Sequence, residues 1–141
     1  MKLEFSEVQK LARAVELLER PGAHIRGEFG QTANGAIMDA DDCSAFPTEV
    51  VKACGVGALR AAGVKQATLE AFSQYLVDRS RAIREFTSLP KGEPVPADEA
   101  EDVIIDTNDD MPNGPKLIRK YMRDFIHAQV KSDVAAGPVE G

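Results

Sequence analysis

Apolar residues recur at intervals of three and four in the first twenty residues of the chain. This spacing predicts a helix over about Ser6–Arg20 with one face against a core. Ser6 and Gln9 have the spacing of a capping box, and Pro21-Gly22 ends the helix. The apolar face consists of Val8, Leu11, Ala12, Val15 and Leu18.

The following segment changes to a period of two. Ile25, Gly27 and Phe29 alternate with polar residues, and Asn34-Gly35, a dipeptide typical of tight hairpin turns, comes soon after. We therefore expect a short, irregular β-hairpin within residues 23–39. The acidic stretch at 39–42 is expected to be a polar connector.

A second helix is predicted from about Pro47 or Thr48 to Ala62, with Gly63 at its end. Seven of the ten residues from 53 to 62 are small, and two glycines inside a helix cost about 1 kcal/mol each relative to alanine. We expect these residues to allow a close approach of the backbone of the Ile25–Phe29 strand. A ligand lying on the helix backbone is the alternative. The small residues are Ala53, Cys54, Gly55, Gly57, Ala58, Ala61 and Ala62.

Two more helices follow from the same periodicity. One begins at about Thr68 and continues to Phe86, and the last begins at Pro115 and has a broad apolar face. Prolines and glycine between residues 88 and 101 exclude regular structure there. The apolar run Val103–Ile105 is expected to be a strand or a turn of helix.

These elements predict an α+β fold that is mainly α, with about four helices packed around a short β-hairpin. Residues 1–131 are expected to form a single globular domain with a flexible proline-rich loop near 88–101. Residues 132–141 are expected to be a frayed tail. A chain of 141 residues is long enough for one independent core.

Charge narrows the classes of function. The chain has 17 basic and 23 acidic side chains, a formal net charge of −6, so direct nucleic-acid binding is not expected. No apolar stretch reaches the length of a membrane span. Acidic residues occur where a signal peptide would have its apolar run, which favours a cytoplasmic protein. Cys43 and Cys54 are expected to be free thiols.

No residue pattern points firmly to catalysis or to a cofactor. Asp106, Asn108 and Asp110 imitate the start of a calcium loop, but Met111 and Leu117 stand where glycine and glutamate are needed. We expect this segment to cap the last helix. The cysteines and histidines do not have the spacing of a zinc site. We therefore predict no catalytic residues, no metal ligands and no cofactor.

One set of polar residues is a candidate binding site. His24, Arg26 and Glu28 lie on one face of the predicted hairpin, and Asn108 and Asp109 precede the last helix. Together they could bind an anion or a polar ligand over an apolar floor. The alternative is a solvated sheet face with a cross-strand ion pair, which contributes less than about 1 kcal/mol.

Three stretches of the chain resemble a family of small phage, prophage and actinobacterial proteins of unknown function. The first runs from Leu17 to Gly27, the second is Ala53-Cys54-Gly-Val-Gly57-Ala58-Leu59, and the third is Thr107-Asn108-Asp109. An aromatic residue of the first segment is replaced near Ala23 or His24, and Thr107 stands in place of a tryptophan. The resemblance implies a fold and a viral or mobile-element setting, and it implies no activity.

The leading functional hypothesis is a small acidic, non-enzymatic protein of phage or prophage type that binds a host protein in the bacterial cytoplasm. An acidic surface can imitate nucleic acid toward a basic partner. The first alternative is a protein that binds or sequesters a small polar ligand such as a nucleotide signal. The second alternative is a cation-dependent hydrolase that uses the aspartate clusters.

Overall fold

The computed structural model describes residues 2–90 and 92–136, with side chains described as far as residue 131. The fold is α+β and mainly α, as predicted, and this part of the chain contains seven α-helices rather than about four. They are α1 (Phe5–Glu19), α2 (Ala40–Ala45), α3 (Gly55–Ala61), α4 (Gln66–Arg79), α5 (Arg81–Thr87), α6 (Ala100–Asp110) and α7 (Gly114–Ala136). No helix among these residues has the length and apolarity needed to cross a bilayer.

The sheet has three short antiparallel strands in the order β2-β1-β3. They are β1 (Gly30–Gln31), β2 (Ile37–Met38) and β3 (Lys52–Ala53). The predicted hairpin is present as β1 and β2, with Gly30 opposite Met38. Its turn needs Gly35, which has a φ of +86°, a conformation that glycine adopts without strain. The predicted strand Ile25–Phe29 is wrong, because this segment is irregular and joins the sheet only at its start, where the Ile25 N–H donates to the Ala53 carbonyl of β3 at 3.0 Å.

Helix α1 starts one residue earlier than predicted, and the capping box is wrong. Glu4 is the N-cap without a side-chain bond, and Ser6 lies inside the helix. Glu7 turns inward and is 2% exposed. Its carboxylate accepts hydrogen bonds from the Lys65 N–H at 2.8 Å, the Thr68 hydroxyl at 2.7 Å and Lys10 at 2.9 Å.

The Glu7 carboxylate therefore caps the start of α4 from another helix. Burial alone would raise the pKa of Glu7, but the bonds from Lys10, Lys65 and Thr68 together lower it below its usual value. A charged carboxylate at a helix N-terminus also interacts favourably with the helix dipole. Residue 7 thus fixes how α1 sits against α4.

The predicted second helix begins eight residues too early. Pro47–Glu49 form a 3-10 turn, Lys52–Ala53 are strand β3, and α3 starts only at Gly55. Extended backbone suits the β-branched Val50 and Val51. Cys54 is the N-cap, and its Sγ accepts from the Gly57 N–H at 3.4 Å.

The prediction of a polar connector at residues 39–42 is also wrong, because residues 40–45 are helical. Asp39 accepts from the Asp42 N–H at 2.8 Å, and the Asp42 side chain accepts from the Asp39 N–H at 3.2 Å. This reciprocal pair is a capping box, so the aspartates that suggested a solvated turn start α2.

The predicted third helix is divided at Ser80. The Ser80 hydroxyl accepts from the Ile83 N–H at 3.1 Å, which ends α4 and caps α5. Residues 88–90 and 92–96 are irregular, and the Val95 N–H donates to the Gln74 side chain at 2.7 Å. The segment is thus joined to α4 by a hydrogen bond.

Residues 100–110 form one helix, so the predicted strand or single turn at 103–105 is part of α6. Asp106, Asn108 and Asp110 lie inside this helix, so they are neither the loop of a calcium site nor the caps of α7. Helix α7 begins with Gly114-Pro115 and continues to Ala136, into the predicted tail. Residues 137–141 lie outside the described residues.

The small residues of the first turns of α3, Gly55, Gly57 and Ala58, are buried, and the predicted close approach is confirmed. A Cβ added at Gly57 would overlap the carbonyl oxygen of Phe29, while one at Gly55 would lie 3.1 Å from Ile104 and Ile118 side-chain carbons. The Phe29 carbonyl also accepts from the Cys54 N–H at 3.1 Å. Glycine at position 57 therefore lets the 25–29 segment lie directly on the first turn of α3.

Candidate functional site

Asn108 is the centre of the predicted polar site, and it is fully buried on α6. Its Oδ1 accepts from His24 Nε2 at 2.5 Å and from the Gly55 N–H at 3.3 Å. Its Nδ2 donates to the Ile25 carbonyl at 2.9 Å and to Asp109 Oδ1 at 2.8 Å. All the hydrogen-bonding capacity of this amide is used within the protein.

Asp109 extends the same cluster. Its carboxylate accepts from the Gly27 N–H at 3.0 Å, and its carbonyl accepts from Arg26 Nη1 at 2.9 Å. Glu28 does not join these bonds, because it accepts from Gln31 Nε2 at 2.6 Å. The structure therefore brings together four of the five predicted residues. Glu28 and Asp109 line a separate small pocket of about 130 Å³.

His24 is held as a neutral imidazole between two partners. Arg119 Nη1 donates to His24 Nδ1 at 2.8 Å, so Nε2 carries the proton and donates to Asn108. Burial lowers the pKa of His24 to about 4, opposed by the Asn108 bond and aided by the positive charges of Arg119 and Arg26. At neutral pH this ring is therefore uncharged and has both nitrogens occupied.

We expect acid to destabilise the protein through His24. Unfolded His24 binds a proton near pH 6.5, whereas folded His24 stays neutral to a pH of about 4. The unfolded state thus binds more protons within this window, and the free energy of unfolding falls as pH decreases through it, by on the order of 2 kcal/mol in all. Urea denaturation at pH 7.0, 6.0 and 5.0 measures the change.

The matched variant for this measurement is His24→Gln, which cannot titrate. Its free energy of unfolding should vary less between pH 7.0 and 5.0 than that of the wild type, whatever its value at pH 7.0. An equal dependence on pH in both proteins would contradict the neutral state assigned to His24.

The polar cluster joins α6 to the 23–27 segment, because the Asn108 amide and both ring nitrogens of His24 are engaged in hydrogen bonds. Burial raises the pKa of Cys43 and of Cys54 to about 11, so both thiols stay protonated at neutral pH and lack the thiolate that a cysteine nucleophile needs. Within the described residues, no group of three or more histidine, cysteine, aspartate or glutamate side chains is placed to hold a metal ion.

A groove of about 500 Å³ lies between α1 and α3. Leu17 and Val50 form its apolar floor, and the alanines at the end of α3 form the wall opposite α1. Arg13 on α1 and Arg20, the C-cap residue of α1, stand at its edge. No acidic residue lines it. The lining residues are Arg13, Leu17, Arg20, Pro47, Thr48, Val50, Ala58, Ala61 and Ala62.

Arg13 and Arg20 differ from the other arginines. Both are exposed, and neither guanidinium has a hydrogen bond, an ion pair or a ring contact within the described part of the chain. Every other arginine has a partner there: Arg26 with Asp109, Arg60 with Glu101, Arg79 with Tyr75, Arg81 with Glu85, Arg84 with Val77, Arg119 with His24 and Arg123 with Glu19. The groove thus has two free cationic groups in a protein of net charge −6.

Sequence reasoning missed this groove. The sequence singled out Ala58, Ala61 and Ala62 as small residues, and the structure places all three in the lining of the groove. The missing information was that α1 packs beside α3, a long-range contact that no local spacing encodes. The small alanine side chains were the available signal, because they leave space next to a neighbouring helix.

A second charged feature is a row of aspartates on α6. Asp102, Asp106 and Asp110 are exposed and four residues apart, which places them on one face of the helix. Burial and the charges of Asp102, Asp110 and Asp109 raise the pKa of Asp106. No described lysine or arginine pairs with these three carboxylates. The row thus concentrates negative charge on one side of the protein.

Comparison of the chain with protein-family models, with curated proteins and with solved structures finds no match. The features of the protein that bear on its function are therefore the groove, the polar cluster and the aspartate row.

Proposed function

We propose that this protein is a non-enzymatic interaction protein that binds an acidic segment of a partner protein in the groove between α1 and α3. The observation that carries the proposal is the pair Arg13 and Arg20, neither of which has a partner among the described residues, beside an apolar floor. Arginine is enriched where protein interfaces have their strongest contacts, and its planar fork matches a carboxylate.

The groove offers both parts of such an interface. Leu17 is 9% exposed and Val50 is 5% exposed, so the floor is apolar and already packed in the free protein. The arginines at the rim would pair with carboxylates, and the Thr48 hydroxyl adds a polar contact at the edge. Apolar contact would supply affinity, and the charges would supply specificity and a faster association.

The biological setting is part of the same proposal. The resemblance to phage and prophage proteins supports a host protein as the partner and the bacterial cytoplasm as the place of binding. Internal bonding of the His24 and Asn108 cluster supports binding rather than chemistry, since its groups are engaged with one another.

The aspartate row favours a second candidate function. Asp102, Asp106 and Asp110 could bind a basic partner protein in place of a nucleic-acid backbone, as the overall charge first suggested.

A small polar ligand would instead use the pocket of about 330 Å³ beside Arg20, His24 and Arg119. These alternatives differ from the main proposal in the charge or the size of what they bind.

Selection from a random 16-residue peptide library displayed on phage tests the main proposal. We expect the wild type to enrich peptides that are acidic and contain apolar residues, with binding that weakens as salt is raised. The double variant Arg13→Gln/Arg20→Gln should lose this enrichment, because the carboxylates no longer have cationic partners.

The control is Arg81→Gln, which removes an arginine paired with Glu85 on exposed α5. This variant should enrich the same peptides as the wild type. Enrichment of basic peptides that depends on Asp106 would support the aspartate row instead. Acidic peptides that bind equally to the double variant would exclude the groove as the binding site.

A further inference from the structure

The spacing of the two arginines restricts the shape of the partner segment. Arg13 and Leu17 lie on α1 and Arg20 is the C-cap residue that follows it, so the three, separated by four and three residues, continue along one face of the helix to its end. Seven residues correspond to a rise of about 10.5 Å along the axis. The groove therefore has a cation near each end and an apolar side chain between them.

We infer that the occupant of the groove is an amphipathic helix with acidic residues seven positions apart and apolar residues between them. This inference rests on the proposed function, and it adds the conformation and residue pattern of the partner. In a helix, residues i and i+7 share one face and are separated by the same distance as Arg13 and Arg20. Apolar residues at i+3 and i+4 would meet the floor at Leu17.

An extended segment fits this spacing less well. Residues three apart in a strand span about 10 Å, but they point to opposite faces because side chains alternate. Only one of the two acidic groups would then face the groove. A helix also suits the walls, because helices pack at about 8–10 Å and small side chains allow the closer distances. Ala58, Ala61 and Ala62 form the wall opposite α1.

Glu16 of α1 lies between Arg13 and Arg20 in the sequence. It is exposed, does not line the groove, and has no ion pair with a described residue. Its negative charge should repel an acidic ligand through the solvent and so weaken the binding of that ligand slightly. Removal of this charge is therefore a variant with an expected effect in the opposite direction.

Two synthetic 18-residue peptides test the inference, and both are rich in alanine and have the same composition. The matched peptide has glutamates at positions i and i+7 and leucines at i+3 and i+4. The control peptide has the same leucines, with its glutamates moved to the opposite face. Fluorescence anisotropy measures binding, and circular dichroism confirms equal helix content. We expect the matched peptide to bind wild type at least ten-fold more tightly.

Single substitutions show which residues cause the preference for the matched peptide over the control peptide. Arg13→Gln and Arg20→Gln should each reduce the preference for the matched peptide about three-fold or more, and the double variant should abolish it. Glu16→Gln should tighten binding about two-fold, and Arg81→Gln should leave it unchanged. Unchanged melting temperatures would show that the variants are folded.

The outcomes separate this inference from the proposed function. If both peptides bind equally and both depend on the arginines, the groove is the site and the helical pattern is wrong. If neither peptide binds while library selection yields acidic peptides that need Arg13 and Arg20, the pattern is again wrong. If the library yields no such peptides, the proposed function itself fails.

Discussion

Replacing Gly57 with alanine is expected to lower the free energy of unfolding by about 3 kcal/mol or more. The new methyl group would overlap the Phe29 carbonyl oxygen, which is backbone and cannot rotate away. Relief of the overlap would also displace the bond from the Cys54 N–H to Phe29. The gain in helix propensity, about 1 kcal/mol, is smaller than these losses. Urea denaturation measures the difference, and Gly57→Leu should be at least as damaging.

Gly55→Ala is the matched control, because it adds the same methyl group in the same turn of α3. At this position the methyl group meets side-chain atoms and no backbone atom at the closest distances: carbons of Ile104 and Ile118 at 3.1 Å and Asn108 Oδ1 at 3.8 Å. Side chains can shift by small rotations. We expect a loss of about 1 kcal/mol or less. Equal stabilities of the two variants would contradict the close approach at Gly57.

Replacing Asn108 with alanine is expected to destabilise the protein by about 3 kcal/mol. The change would leave His24 Nε2, the Gly55 N–H and the Ile25 carbonyl without their partner in a buried region. A buried polar group without a hydrogen bond costs about 1–3 kcal/mol. Thermal and urea denaturation at pH 7 measure the loss, and the His24 ring should titrate at a different pH in this variant.

The neighbouring Thr107 provides a control in the same buried part of α6. Its Oγ1 is buried and has no hydrogen-bond partner among the described residues. Thr107→Val keeps the shape and removes the unsatisfied hydroxyl, so stability should stay equal or rise by about 1 kcal/mol. A large loss for Thr107→Val would mean that this part of α6 responds to any substitution and that the Asn108 bonds are not special.

Periodicity predicted the elements in which one face is apolar over several turns. α1, the body of α4 and α7 were located this way, because their apolar stripes are long. The breaks were missed where a single side chain ends or begins a helix. The Ser80 side chain caps α5 directly after α4 ends, and the Asp39 side chain caps α2. Serine and aspartate are also common in loops, so their presence in the sequence does not show that they begin a helix.

The polar residues of the candidate site were partly predictable. His24, Arg26, Asn108 and Asp109 do meet, although they come from an irregular segment and a helix rather than from a hairpin and a cap. Their partners could not be predicted, because Arg119 and Gly55 reach the cluster through long-range packing. The groove depends on the same kind of contact, between α1 and α3.

The Glu7 cap has a consequence for how the groove receives a partner. Two hydrogen bonds to the Glu7 carboxylate hold the first turn of α1 against the start of α4, so α1 cannot roll about its own axis without breaking them. Arg13 and Arg20 therefore project from a wall whose rotation is set before any ligand arrives. Such a preorganised surface keeps the entropy lost on binding small, and association should be governed by electrostatic encounter rather than by rearrangement.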